Sequence, residues 1–246
     1  MIRLDKFICD HTAHTRSTVK KALRGGEVSV NAVPVRDGAF KIDPARDAVT
    51  VGGERIVYQP FVYLMMNKPQ GVVSATRDGR EKTVLDLLDD RFSHRALFPA
   101  GRLDKDTTGF VLLTDDGAFA HRILSPKNHI PKTYLAETDK PITENAVRAF
   151  EAGAVLEDGT VCMKASLSIL SERLGKVVIC EGMYHQIKRM FLSCGLTVTA
   201  LTRIRMGALD LDKTLAPGAY RELTPDEVAL ISRQEPPENS KKIHTF

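Results

Sequence analysis

Between Gly101 and Gly109 one short polar loop holds two carboxylates, Asp104 and Asp106, two hydroxyls, Thr107 and Thr108, and two cations, Arg102 and Lys105. It runs directly into the apolar stretch FVLLT (110–114). A carboxylate on a loop anchored by a rigid strand suits nucleophilic or general-base work. The same residues also suit a turn whose Asp and Thr side chains bond local backbone groups, and spacing alone leaves both readings open. Two further segments carry chemistry-bearing side chains. Lys132-Thr133-Tyr134 sets an aromatic ring with one polar tip in an extended run, where a core-packed strand aromatic is the plain alternative. His185-Gln186-Ile187-Lys188-Arg189-Met190 sets Lys188 in the first turn of a helix, where a solvated cation is the plain alternative. Asp115 and Asp116 precede a helix, where carboxylates complement the dipole for structural reasons. No phosphate-binding Gly-rich loop, HExxH or GxSxG is present. Cys9-x-His11-x-x-His14 offers too few ligands for a zinc site and reads as polar loop residues.

The elements that must position these groups follow from periodicity and punctuation. IRLDKFIC (2–9) reads as a short amphipathic helix, and a second helix starts near Thr15 or Ser17 and stops at Gly25-Gly26. On that second helix Arg16, Lys20 and Arg24 recur every four residues as an exposed stripe with Lys21 beside it. EVSVNAVPVRDG reads as a hairpin turning at Asn31-Ala32. Further along, FVYLMMN, GFVLLT, KTYLAET, CMKASLSIL and KVVICEG read as strands. TVLDLLDD, AFAHRIL, ITENAVRAFEAG and YHQIKRMFLSCG read as helices, the last burying Ile187, Met190, Phe191 and Cys194. Thr224-Pro225-Asp226-Glu227 is a capping box opening a final helix. The expected division is a compact unit over 1–59, a larger body over 60–232 and a polar tail over 233–246.

The 246 residues, 43% hydrophobic and 27% charged, match an ordinary globular protein. No apolar run approaches the roughly 18 residues needed to cross a bilayer, so no membrane span is expected. The opening MIRLDK has no apolar h-region, so no secretory signal is expected either. Four scattered cysteines suit a reducing cytoplasm. Arg3, Lys6, Arg16, Lys20, Lys21, Arg24 and Arg36 face only Asp5, Asp10 and Glu27 in residues 1–36, which matches the whole-chain excess of +4. A basic N-terminal module on a near-neutral body suits a nucleic-acid enzyme.

GRLDKDTTGFVLLTDDG resembles the signature of the pseudouridine synthases, in the branch of the ribosomal small subunit pseudouridine synthase A. The likeness covers nearly the whole chain. RLDKFI with the basic second helix resembles an S4 RNA-binding domain; NKPQGVVSAT, PKTYL, EGMYHQIKRMF and APGAYRELT resemble the body motifs in the family's order. The resemblance implies an α+β fold, with a small S4-like domain and a catalytic domain on a mixed, mostly antiparallel sheet flanked by helices. It implies an isomerase that converts a uridine of small-subunit (16S) ribosomal RNA, uridine 516, to pseudouridine without cofactor or metal. The same chemistry on large-subunit (23S) RNA and a non-catalytic ribosome-assembly factor are the alternatives. Carried over to this sequence, the resemblance makes Asp104 the nucleophile or base, Tyr134 the ring that stacks on the target base, and Lys188 the partner of Asp104. It implies Arg102 and the stripe Arg16, Lys20, Lys21 and Arg24 as RNA contacts, and a cytoplasmic monomer acting on an assembling small-subunit particle.

Overall fold

The computed structural model describes residues 1–233, so most of the expected tail lies outside the described residues. By internal contacts the chain divides into Met1–Val62 with Leu88–Leu97, and Tyr63–Leu87 with the remainder from Phe98 onward.

The first unit opens with β1 (Ile2–Arg3), α1 (Leu4–His11) and α2 (Arg16–Gly25). It continues through β2 (Val28–Val30), β3 (Val33–Pro34), β4 (Lys41–Ile42), β5 (Val49–Val51) and β6 (Glu54–Arg55). The Thr15 side chain caps α2 by accepting from the Thr18 N–H, and Gly26 ends it in the left-handed conformation. Asn31 and Ala32, both at positive φ, make the expected hairpin turn between β2 and β3. Leu4, Phe7 and Ile8 of α1 meet Val19, Ala22 and Leu23 of α2 over Val28, Val30, Ile42 and Val49. Each such fully buried side chain contributes about 1.5–3 kcal/mol. The Arg95 guanidinium joins the later segment to this unit by donating to the carbonyls of Asp10, Gln59 and Pro60.

The body is α+β. Its strands are β7 (Tyr63–Lys68), β8 (Phe98–Ala100), β9 (Thr108–Thr114), β10 (Lys132–Thr138), β11 (Ser166–Ser171), β12 (Leu174–Ile179), β13 (Val198–Met206), β14 (Leu209–Asp210) and β15 (Tyr220–Glu222). The order is β11-β12-β10-β13-β9-β7-β15, with β14 on β13 and β8 on β9. Every pairing is antiparallel except β13 with β9, so the sheet is mixed and mostly antiparallel. The helices are α3 (Gly117–Leu124), α4 (Glu144–Ala152), α5 (Gln186–Ser193) and α6 (Pro225–Ile231). Phe119, Ala120 and Ile123 of α3 and Ile231 of α6 pack with Met65, Phe110, Leu112 and Met206 of the sheet. Phe150 of α4 and Phe191 of α5 meet at 4.9 Å between ring centres.

The parallel β9–β13 junction depends on a glycine. Gly109 lies opposite Arg203 at φ 97, and a Cβ there would fall 2.3 Å from the Arg203 carbonyl oxygen. Only glycine permits that approach in that conformation.

Two expectations change. TVLDLLDD forms a single 3-10 turn, Leu85–Leu87, rather than a helix. Its first residues are committed to a bridge with Val73, whose carbonyl accepts from the Val84 N–H. The helix expected over YHQIKRMFLSCG begins only at Gln186, because His185 adopts a left-handed backbone at φ 50. Cys194 lies just past its end and is only half-buried.

Candidate active site

Strand β9 fixes the far end of the Gly101–Gly109 loop, and two buried cations fix the rest of it. The Lys68 ammonium, fully buried at the end of β7, donates to the carbonyls of Pro69, Lys105 and Thr107 at 3.1, 3.2 and 2.7 Å. Arg203, 1% exposed on β13, donates from Nε to the Phe110 carbonyl at 2.6 Å and from Nη2 to the Gly101 carbonyl at 2.7 Å. The backbone of the loop therefore has charged donors at both ends and beneath its middle. Ser74 adds a reciprocal pair, donating to the Leu103 carbonyl at 2.9 Å and accepting from the Leu103 N–H at 3.1 Å.

The loop so held presents Asp104 to a cleft over β12, β10 and β13, lined also by Arg102, Thr107, Tyr134, His185 and Lys188. The first turn of α5 carries Lys188 to it. The Lys188 Nζ donates to Asp104 Oδ2 at 3.0 Å and to Asp106 Oδ1 at 2.6 Å. On the other carboxylate oxygen, His185 Nε2 lies 3.5 Å from Asp104 Oδ1. Tyr134, on β10 opposite Val177 and Arg203, is 6% exposed, and its hydroxyl lies 3.5 Å from Arg203 Nη1. Three segments far apart in sequence thus bring a carboxylate, an ammonium and an aromatic ring into one cleft. Arg102 is exposed along the same lining.

The electrostatics follow from these contacts. The hydrogen bond from Lys188 holds the Asp106 carboxyl below the ordinary aspartate range, against the opposing effect of burial. Burial pulls the Lys188 ammonium down, but Asp106 and Asp104 together outweigh it and leave its pKa above the usual lysine value. Burial brings Lys68 down to about 8, although Asp106 and Asp104 act the other way. Lys132, buried on β10 near Arg203, is likewise lowered to about 8 by burial.

The family resemblance assigns no role to Asp106, yet its contact with Lys188 is the shorter of the two. The signal was available in its position two residues from Asp104. Asp116 is structural: its carboxylate caps α3 through the Phe119 N–H and accepts from the Tyr63 hydroxyl at 2.7 Å. The His11 Nδ1 lies 2.9 Å from the Phe7 carbonyl oxygen, and its ring stacks on Phe7, which makes it part of α1's packing. Among the described residues no group of three or more His, Cys, Asp or Glu side chains is placed to hold a metal. None of their helices is long and apolar enough to cross a membrane.

In the N-terminal unit, Arg16, Lys20 and Arg24 are exposed and line a concavity of about 770 Å³ together with Arg3, Lys6 and Arg36. Lys21 is exposed but not in that lining. Arg3, Lys6 and Arg36 belong to other elements, so the helical repeat that marks the α2 stripe could not include them.

The RNA pseudouridylate synthase family pattern matches residues 62–193, and the S4 domain pattern matches residues 2–49. An uncharacterized RNA pseudouridine synthase of Bacillus subtilis is 44% identical, over 95% of this chain and 100% of that protein. The ribosomal small subunit pseudouridine synthase A of Escherichia coli is 41% identical over 94% of this chain and 100% of its own length. A crystal structure of a pseudouridylate synthase aligns with a TM-score of 0.66 at 39% identity, over 94% of this chain and 100% of that one. The motifs, the α+β body and these full-length relatives agree: the chain belongs to the RNA pseudouridylate synthases, isomerases, and carries an N-terminal S4 domain.

Proposed function

We propose that this protein isomerises one uridine of small-subunit (16S) ribosomal RNA, uridine 516, to pseudouridine, with Asp104 supplying the reacting carboxylate. The reaction breaks the C1′–N1 bond, turns the base and forms a C1′–C5 bond. The proton lost from C5 is balanced by one gained at N1, so the product is an isomer of the substrate. A carboxylate beside the sugar–base bond serves as nucleophile or base, and the Lys188 ammonium orients it through the 3.0 Å contact. Tyr134 offers its ring to a uracil turned out of the RNA stack. Arg102 contacts phosphate at the cleft. The observation that carries this reading is the 3.0 Å contact between Lys188 and Asp104 in the cleft that Tyr134 also lines. The small-subunit target is favoured by the name of the Escherichia coli relative, matched over its full length.

In this reading residues 1–59 dock RNA, residues 60–232 carry the chemistry and residues 233–246 are a polar tail. Arg16, Lys20, Lys21 and Arg24 contribute phosphate contacts that supply affinity and position rather than sequence choice. The enzyme acts as a cytoplasmic monomer on an assembling small-subunit particle.

The test is pseudouridine mapping by carbodiimide and primer extension on ribosomal RNA from cells lacking the gene. One stop lost from small-subunit RNA, restored by wild type and not by Asp104→Asn, is expected. A stop lost from large-subunit RNA overturns the target, and restoration by Asp104→Asn overturns the role of Asp104.

A further inference from the structure

Tyr184 is 77% exposed, the highest value for any tyrosine or phenylalanine among the described residues, and it lies in the loop that leads into α5. Its ring stacks on His185 with centroids 3.8 Å apart and planes 19° apart. His185 in turn places Nε2 3.5 Å from Asp104 Oδ1. One face of the Tyr184 ring is therefore covered by a side chain that touches the Asp104 carboxylate, and the ring projects toward solvent.

The loop that presents this ring pair is pinned. Glu181 Oε1 accepts from the Met163 N–H at 2.8 Å and from Gln186 Nε2 at 2.6 Å, and Gln186 Oε1 accepts from the Met183 N–H at 3.1 Å. Gln186 itself is only 3% exposed. These bonds hold His185 in a left-handed backbone conformation that a residue with a Cβ seldom adopts without a reason. Met183 and His185, on either side of Tyr184, both line the Asp104 cleft. A large ring held at the rim of the cleft, on a loop fixed by buried polar groups, offers an open aromatic face to a ligand base.

Resting on the reading of that cleft as the uridine site, we propose that the open face of Tyr184 is a stacking platform for the nucleobase adjacent to the target uridine. Turning a uridine out of its stack leaves its neighbours without a partner, and an aromatic face restores part of what is lost. His185, which carries the Tyr184 ring on its face, lines the same cleft as Tyr134, so a base on Tyr184 lies beside the site of the uracil. Stacking of this kind tolerates any base, so the platform contributes binding and register rather than sequence choice.

The experiment uses the full chain and a small-subunit RNA fragment with 2-aminopurine next to the target uridine, on either side in turn. Wild type and Tyr184→Phe are expected to quench one of the two probes. Tyr184→Leu is expected to lose that quenching, to bind about 10- to 100-fold more weakly and to raise KM by a similar factor, with kcat affected far less. Quenching and affinity of Tyr184→Leu equal to wild type overturn the platform. Asp104→Asn, assayed alongside, separates the two readings. Turnover by that variant removes the underlying assignment of the cleft, whereas an inactive Asp104→Asn with an unaltered Tyr184→Leu removes only the platform.

Discussion

The buried ammonium of Lys68 donates to the Thr107 carbonyl at 2.7 Å, three residues beyond Asp104. With its contacts to Pro69 and Lys105, it ties the end of β7 to the backbone of the loop that presents the carboxylate. Lys68→Met keeps the apolar stem and removes all three donors, leaving buried carbonyls without their charged partner. The expected loss is about 2–4 kcal/mol of unfolding free energy. Urea unfolding followed by circular dichroism measures it. Pseudouridine formation should fall further than stability alone explains at a temperature where the variant is folded, because the Asp104 loop is no longer held. An unchanged urea midpoint would show that Lys68 does not support the loop.

Gly109 makes an equally specific demand. Its positive φ and the 2.3 Å approach of a built Cβ to the Arg203 carbonyl oxygen mean that any side chain must separate β9 from β13. Gly109→Ala should cost more than about 3 kcal/mol or prevent folding. Gly117, the first residue of α3, is the control, since a Cβ there meets nothing within 4 Å. Gly117→Ala should be neutral or stabilising by up to about 1 kcal/mol, through the lower entropy of the unfolded chain. Thermal melts of both variants check the pair, and similar effects at the two positions would contradict the close-approach argument.

These two positions also show what could be read from sequence. The Gly101–Gly109 loop was legible because glycines, carboxylates and hydroxyls cluster before an apolar strand. Thr15 and Thr224 were legible at helix starts, and Asp116 as a carboxylate before one, because a helix start leaves local N–H groups and a positive dipole end that such side chains satisfy. Tyr134 and Lys188 were ambiguous on their own residues; a strand aromatic and a first-turn lysine suit a core and a solvated face equally well. The family likeness selected them. Lys68 and Arg203 were not legible, because their partners are backbone carbonyls, which leave no trace in the identity of the residues they belong to. The parallel contact of β9 with β13 joins residues 94 apart in sequence, Thr108 and Thr202, which no local period reports. The expected TVLDLLDD helix failed because apolar spacing cannot show that Val73 already engages that backbone.

Stability should fall in acid through a cluster remote from the cleft. Glu227 lies in the capping box of α6, where Arg221 donates to both its oxygens at 2.9 and 2.6 Å. The Arg221 hydrogen bonds bring Glu227 down to about 2, below the ordinary 4.5 that the unfolded chain restores. A folded-state value below the unfolded one means that the stabilisation is complete above pH 4.5 and is lost as pH falls toward 2. Glu227→Gln should therefore lower stability by about 1 kcal/mol at neutral pH, the figure reduced for the partial exposure of the pair. The gap from wild type should narrow between pH 4.5 and 2. Melting temperatures across that range measure it, and a gap independent of pH would remove Glu227 as its source.

Lys188 is shared between two carboxylates, and the shorter contact, 2.6 Å, goes to Asp106 rather than to Asp104 at 3.0 Å. Asp106 is the more exposed of the two, with its side chain 62% exposed against 30% for Asp104. It therefore acts from the solvent side, steadying the ammonium against the Asp104 carboxylate. Asp106→Asn removes that charge and leaves an amide oxygen that still accepts from Lys188, so the ammonium keeps its place at Asp104. Turnover should fall by roughly tenfold or less, since a partly exposed ion pair is worth about 1 kcal/mol. Lys188→Met removes the cation from both carboxylates and should cost much more. Because Asp106 helps hold the Lys188 ammonium above the usual lysine value, Asp106→Asn should also lose activity at a lower alkaline pH than wild type, whereas Lys188→Met has no ammonium to lose there. Initial rates of pseudouridine formation at several pH values compare the two. A loss in Asp106→Asn as deep as in Asp104→Asn would mean that Asp106 takes part in the chemistry itself rather than in holding Lys188.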